Sequence, residues 1–228
     1  MKKYGILLVK SLVGCVFLAF TLFPIVLLIS SSLKIDTEVF DYRIIPKHIT
    51  LDAYKQVFRI LDIFTGIRNS LFVATMVTVL ALIVHSMAAF AFARLEFPGK
   101  KGAFMWVLST MMIPWAVTII PQYEMFTNWG LQDTYTSLVL PGMISAFGIF
   151  LFRQSISGIS DELIEAAKLD GASETRIFHS IILPMSHNTI AALAIFTFLW
   201  NWEDYLWPFL MITDENKQLL AVGLKAFN

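Results

Sequence analysis

The sequence predicts an all-α fold, a polytopic membrane helix bundle, and three observations carry that expectation. Of the 228 residues, 57% are hydrophobic, and the mean hydropathy is +0.70. Only 15% are charged, against about a quarter in a soluble domain. The apolar residues also gather in uncharged runs near the ~20 residues that a membrane helix needs. Net charge is zero, so the bulk electrostatic case for nucleic acid is absent. Cys15 is the only cysteine, which excludes an intrachain disulfide or a cysteine-built zinc site.

The predicted spans are residues 11–33, 69–93, 102–123, 134–152 and 188–213. Lys2, Lys3 and Lys10 precede the first run. That run is too long for a secretory leader, and it lacks a convincing cleavage site. Leu12-Val13-Gly14-Cys15 resembles a lipobox, but few apolar residues precede Cys15 and the run continues past it. A buried or lipid-facing thiol is the favoured reading. Pro24, Pro114 and Pro141 fall inside spans, where they are expected to kink helices whose neighbours satisfy the freed carbonyls. The fifth run meets Glu203-Asp204 and then resumes; it is expected to be one span with a polar interruption.

Orientation follows from Lys and Arg in short loops. The N-terminal tail is basic, and so is the tight loop Arg94–Lys101, with Arg94, Lys100 and Lys101. Residues 122–133 carry no Lys or Arg. The N-terminus and residues 153–185 are therefore expected in the cytoplasm, with residues 34–68 and 122–133 outside. Residues 34–68 hold six basic and five acidic residues, but a long loop counts little in this rule. Within it, Leu51, Tyr54, Val57, Phe58 and Leu61 have helical spacing. Thr50 is placed to cap a short helix lying against the outer face.

Residues 153–185 predict a helix–turn–helix elbow. Ser160 precedes Asp161 and Glu162, a favourable first turn for the helix dipole. Gly171 suits the left-handed closure of a helix C-terminus. Ser173 caps a second helix with an apolar stripe at Ile177, Phe178, Ile181 and Ile182, expected to end at Pro184. Ala166 and Ala167 leave little bulk, so another surface can approach.

Glu165-Ala166-Ala167, three residues, Gly171, nine residues, Ile181, one residue and Leu183-Pro184 reproduce the coupling ("EAA") loop of ABC importer permeases. The chain resembles the second, smaller permease subunit of maltose-type transporters along nearly its whole length. Ser31-Ser32-Leu33-Lys34, Ala91–Gly99, Asp170-Gly171-Ala172-Ser173 and Leu199–Pro208 add to the likeness and favour the carbohydrate branch. The resemblance implies a single permease domain over residues 1–228. It also implies a sixth span after the region ending at Gly223–Asn228, before which this sequence stops.

The resemblance further implies a heterodimer with a second permease, a pair of cytoplasmic ATPase subunits and an extracytoplasmic solute-binding protein. The cargo would be a sugar or oligosaccharide; polyol or glycerol phosphate cargo, or a non-transporting membrane scaffold, are the alternatives. Glu165, Ala166, Ala167, Asp170, Gly171, Ile181, Leu183 and Pro184 would couple the spans to the ATPase. The chain itself is expected to be no enzyme and to bind no cofactor, with ATP and magnesium on the partner subunits. Gly5, four residues, then Lys10-Ser11 only approaches a phosphate-binding loop, since Val9 stands where a second glycine should.

Pathway candidates are Trp200, Asn201, Trp202, Glu203, Asp204 and Tyr205, with Trp207 beside them. Ionisable residues inside a span usually face a cavity, and aromatic faces stack on sugar rings. Interfacial aromatics account for the same residues equally well. His85, mid-span in Val84-His85-Ser86, favours a hydrogen-bonded packing role over a ligand. Ser86, Ala89 and Ala93 offer a small-residue face for a neighbouring helix. His179 and His187 lack metal-ligand companions in the sequence.

Overall fold

The computed structural model describes residues 2–41 and 43–225, with side chains from Lys10 onward. The side chains of Lys2, Lys3 and the first part of the near-miss phosphate loop, and the last residues Ala226-Phe227-Asn228, lie outside the described residues. The helices in chain order are α1 (Lys2–Ser32), α2 (Asp52–Ile60), α3 (Ile63–Arg94), α4 (Lys100–Ser109), α5 (Trp115–Asn128), α6 (Tyr135–Gly142), α7 (Ala146–Ser157), α8 (Asp161–Leu169), α9 (Glu174–Ile177), α10 (Leu183–Met185), α11 (His187–Glu203), α12 (Leu206–Met211) and α13 (Leu220–Leu224). Packing divides them between two compact units, Met1–Asp62 and Ile63–Asn228.

In the first unit, α1 exposes most of its apolar side chains from Lys10 onward, Leu12, Phe17, Phe20 and Leu28 among them. That is the expected surface of a helix solvated by lipid. Pro24 sits inside it without ending it. The chain then doubles back: the Thr50 N–H donates to the Leu33 carbonyl, and Ser32 Oγ lies 2.8 Å from Tyr54 Oη. Lys34 is buried, its Nζ donating to the Asp41 carbonyl at 2.6 Å. The amphipathic helix expected near residues 51–61 is α2. Its cap differs from expectation: the N-cap residue is Leu51, and Thr50 Oγ1 accepts the Asp52 N–H one residue early, at 3.1 Å.

In the second unit, α3 is the spine. Its 32 residues rise about 48 Å at 1.5 Å each, more than the ~30 Å hydrocarbon core. Buried Ser70, Ala74, Ala81, Ser86 and Ala89 let α6, α7, α11 and α13 approach it closely. One apolar cluster gathers on its C-terminal half, with Phe90, Phe152, Ile156, Ile177 and Ile182. Another gathers on its N-terminal half, with Val73, Val77, Phe126, Trp207 and Met211. Asn69 Nδ2 donates to the carbonyls of Asn216 and Gln218. Ser70 Oγ accepts the Leu220 N–H, so the C-terminal segment is tied to the start of the spine.

Among the described residues, only Lys10–Ser32 and Ile63–Arg94 are single helices long and apolar enough to cross a membrane; three further pairs qualify only together, across a bend. The expected kink at Pro114 is a break of 101° between Lys100–Met112 and Trp115–Asn128. Ile113 is extended, as a residue before proline prefers, and Pro114 is extended too. Helix α5 also runs on to Asn128, so the connection expected over residues 122–133 is largely helical. Pro141 lies inside α6, and the chain bends by 42° just after that helix, before α7. The fifth span is two helices: α11 stops at Glu203, Asp204 is extended, and α12 follows.

Candidate functional site: an elbow helix and two broken spans

The elbow is built by two side-chain caps and one glycine. Ser160 Oγ accepts the Leu163 N–H to start α8, and Ser173 Oγ accepts the Arg176 N–H to start α9. Between them Gly171 has φ 79°. The Ala172 N–H reaches back to the Ala167 carbonyl, and the Gly171 N–H to Lys168. This pair of bonds is the Schellman closure, which needs the left-handed residue that glycine supplies without strain. Lys168 and Glu174 pair across the turn at 2.8 Å.

The second elbow helix does not end at Pro184. It widens into a π turn over Phe178–Ile182, continues as α10, and breaks at Ser186. Proline has no N–H to return to the Ser180 carbonyl, and the wider turn just before it relieves that mismatch. Helix α11 then leaves at 75°.

The elbow is seated by its apolar side. Ile164, Ile177, Phe178 and Ile182 are buried with Phe152 and Ile156, and Ala167, Ala172 and Leu183 pack against them. Arg94, the last residue of α3, holds the same corner. Its guanidinium donates to the Ile156 carbonyl at 2.8 Å, to the Ile159 carbonyl and to Asp161. Hydrogen bonds from a charged donor are each worth about 1.5–3 kcal/mol, so the elbow is rigidly fixed to the spine.

What remains outside is a compact surface. Glu165, Ala166, Asp170 and Gly171 are exposed together on α8 and its turn. Ile181 is half-buried, Leu183 packs inward and Pro184 is exposed on the following helix. Leu169, missed by the sequence reading, is 89% exposed at the tip. An apolar residue beside a helix-closing glycine, between Lys168 and Asp170, was the available signal.

The second region is where two broken spans meet α3. A Cβ added at Gly142, the last residue of α6, would lie 2.9 Å from Val77 and 3.0 Å from Asn201 Oδ1. Glycine is what lets α6 and α11 close on the spine here. Two turns further along α3, His85 is buried, and its Nε2 accepts the Ser145 N–H at 2.8 Å. That amide is freed by the break before α7, and Ser145 Oγ in turn accepts the Gly148 N–H. His85 is therefore a packing and hydrogen-bonding residue of the break. Its ring lies flat against Gly148, where a Cβ would overlap it.

The six pathway candidates do not converge on one point. Trp200 is 58% exposed, with its ring near Phe147 and Phe196. Trp202 stacks on Phe198 and Tyr205 on Phe209. Asn201 Nδ2 bonds the Thr197 carbonyl. Glu203 is exposed, and the half-buried Asp204 faces the backbone N–H groups of Leu206 and Trp207, at the start of α12. Trp207 is a core residue, donating to the Ser137 carbonyl at 2.9 Å and edge-on to Phe126.

A further cluster was not visible in the sequence. Asp133, with φ 57°, accepts from the Thr213 N–H and Oγ1 at 2.6 Å each and from the Asp214 N–H at 2.9 Å. These bonds hold its carboxyl below the usual carboxylate range. A depressed carboxyl stabilises the fold above its unfolded value, about 3.9, and the gain is lost as pH falls through the lower native value. Asp133→Asn is expected to lower the melting temperature equally at pH 8 and pH 6. The difference from wild type should shrink only below about pH 4. A difference that already shrinks between pH 8 and 6 would contradict this clamp.

A polytopic chain with a rigid helical elbow between broken spans defines a membrane transport component. Residues 86–224 match the family described as binding-protein-dependent transport system inner membrane component, and the chain belongs to that family. It is 33% identical to the arabinooligosaccharides transport system permease protein AraQ of Halalkalibacterium halodurans, over 93% of this chain and 78% of that one. It is 42% identical to the sn-glycerol-3-phosphate transport system permease protein UgpE of Salmonella choleraesuis, over 69% of this chain. There it spans only 56% of the relative's length. The crystal structure of a bacterial ABC transporter that imports the acidic polysaccharide alginate has a chain that superposes with a TM-score of 0.84. That match has 25% identity and covers 99% of this chain and 80% of that one.

Proposed function

We propose that the chain is a transmembrane permease subunit of an ATP-binding-cassette importer that moves a sugar or oligosaccharide across the cytoplasmic membrane by alternating access. The observation that carries the reading is the elbow: an exposed, small-residue surface on α8, fixed to α3 by Arg94 and to the core by Ile164 and Ile177. Such a part transmits force without deforming. The elbow would dock in a cleft of a cytoplasmic ATPase dimer, with Glu165 pairing with a basic residue there. Closure of that dimer on ATP and magnesium would then rock α3 and the broken spans from inward-open to outward-open. A second permease completes the pathway, and an extracytoplasmic binding protein delivers the solute. The N-terminus and the elbow lie in the cytoplasm, and residues 34–68 lie outside.

The likeness to AraQ over nearly the whole chain supports oligosaccharide cargo. The higher identity to UgpE over a shorter stretch supports glycerol phosphate as the second reading. The deciding experiment is uptake of labelled arabino-oligosaccharide and of labelled sn-glycerol-3-phosphate by cells expressing the chain with its neighbouring transporter genes. Accumulation of the saccharide, abolished by inactivating the ATPase, is the expected result. Accumulation of glycerol phosphate alone would establish the second reading, and uptake of neither would overturn both.

A further inference from the structure

A cavity of about 670 Å³ lies beside the junction of α3 and α4, lined by Phe92, Glu96, Phe97, Lys100, Lys101, Phe104, Met105 and Arg153 among others. It is separate from the exposed elbow surface, since none of Glu165, Ala166, Asp170 and Gly171 lines it. Its volume is that of a small-molecule site, and its chemistry is two-sided.

One side is cationic. Arg153 Nε donates to the Phe92 carbonyl at 3.3 Å, and its guanidinium lies 4.3 Å from the centre of the Phe104 ring. These contacts fix the planar fork without neutralising it. Lys100 pairs with Glu96 at 3.1 Å, whereas neither Lys101 nor Arg153 has a carboxylate partner among the described residues. The first turn of α4 follows Gly99, which has φ 78° and caps it with no side chain. A Cβ at Gly99 or Gly102 would meet nothing, so the recess is open to the backbone at the positive end of that helix.

The other side is apolar: Phe92, Phe97, Phe104 and Met105. It continues outward, since Met105 is 65% and Trp106 77% exposed on the next turn. As the junction of two spans, the recess would place the cations at headgroup depth and the exposed Met105 and Trp106 where acyl chains begin.

We infer that this recess binds the headgroup of an anionic phospholipid, with Arg153 and Lys101 on the phosphate and the acyl chains along Met105 and Trp106. A guanidinium fork suits two phosphate oxygens. A soluble phosphate would meet the same cations but would leave the apolar ramp unused. The bound lipid screens Lys101 and Arg153 from each other. It also ties the α3–α4 loop to the membrane next to the elbow.

Native mass spectrometry tests this on the full chain purified in neutral detergent, with phosphatidylglycerol or phosphatidylcholine added. Wild type is expected to retain phosphatidylglycerol selectively, unaffected by excess inorganic phosphate. Each cation near a membrane surface contributes enough for about a fivefold change in occupancy. Lys101→Gln, an exposed change, should weaken retention about fivefold, and Lys101→Gln with Arg153→Gln about thirtyfold. Equal retention of the two lipids, or selectivity unchanged in Lys101→Gln, overturns the inference. Displacement by inorganic phosphate assigns the recess to a soluble anion and overturns the lipid. The readout needs no transport, so it stands or fails independently of the importer reading.

Discussion

Gly171→Val is expected to leave the chain folded in the membrane while removing the ATPase subunits from the complex purified after co-expression, and with them solute uptake. The cause is confined to the backbone. A Cβ at Gly171 would meet no atom within 4 Å, and the turn is exposed, away from the core. The position has φ 79°, where a β-branched residue is a true outlier costing about 1–3 kcal/mol. The turn escapes that strain by giving up the Ala172-to-Ala167 and Gly171-to-Lys168 bonds. Losing them swings Leu169 and Asp170 away from Glu165 and Ala166. Gly171→Asn is the control, because asparagine tolerates the left-handed region. It should keep most ATPase association and most uptake. If Val and Asn behave alike, backbone geometry at the turn is not what docking requires. If Val retains a full complement of ATPase, the elbow is not the docking element.

The elbow was legible because its signals are local. Ser160, Gly171 and Ser173 each act on bonds within five residues of themselves, and helix caps and glycine closures are written at that range. The spans were legible as composition, but their breaks were not. Pro114 and Pro141 both fall in apolar runs, yet the chain turns by 101° at the first and by only 42° after the second, which stays inside its helix. A proline marks where a ladder weakens; the neighbours that take up the freed groups set how far it bends. Those neighbours are distant in sequence. His85 reaches Ser145 across 60 residues, Asp133 reaches Thr213 across 80, and Asn69 reaches Gln218 across 149. No spacing rule connects such pairs. Of these residues the sequence hints at His85, a polar residue in an apolar run. The pathway candidates illustrate the converse. Six consecutive residues from Trp200 to Tyr205 look like one site in a string, but α11 turns about 100° per residue through Trp200–Glu203 and the chain then breaks at Asp204, which distributes them to different neighbours.

Gly148→Ala is expected to be strongly damaging for a single added methyl. The added Cβ would overlap the His85 ring, and the ring cannot retreat, because His85 is buried on α3 and bonded to the Ser145 N–H. Overpacking a tight interior costs about 1–3 kcal/mol, and an orphaned amide adds about 1–3 more. The two costs share one cause, since moving the ring breaks the bond. A melting temperature lowered by several degrees in detergent is therefore expected, together with loss of uptake, because α7 no longer seats against α3. His85→Ala removes the ring and the bond together and should also destabilise. The double variant supplies the test of mechanism. With the ring gone, the alanine at 148 has room and refills part of the cavity. His85→Ala with Gly148→Ala should then be more stable than the sum of the single changes predicts, by a coupling of at least about 1 kcal/mol. Simple additivity would mean that the two residues do not compete for one space. That result would remove the reason for a glycine at 148 and for a histidine across from the break.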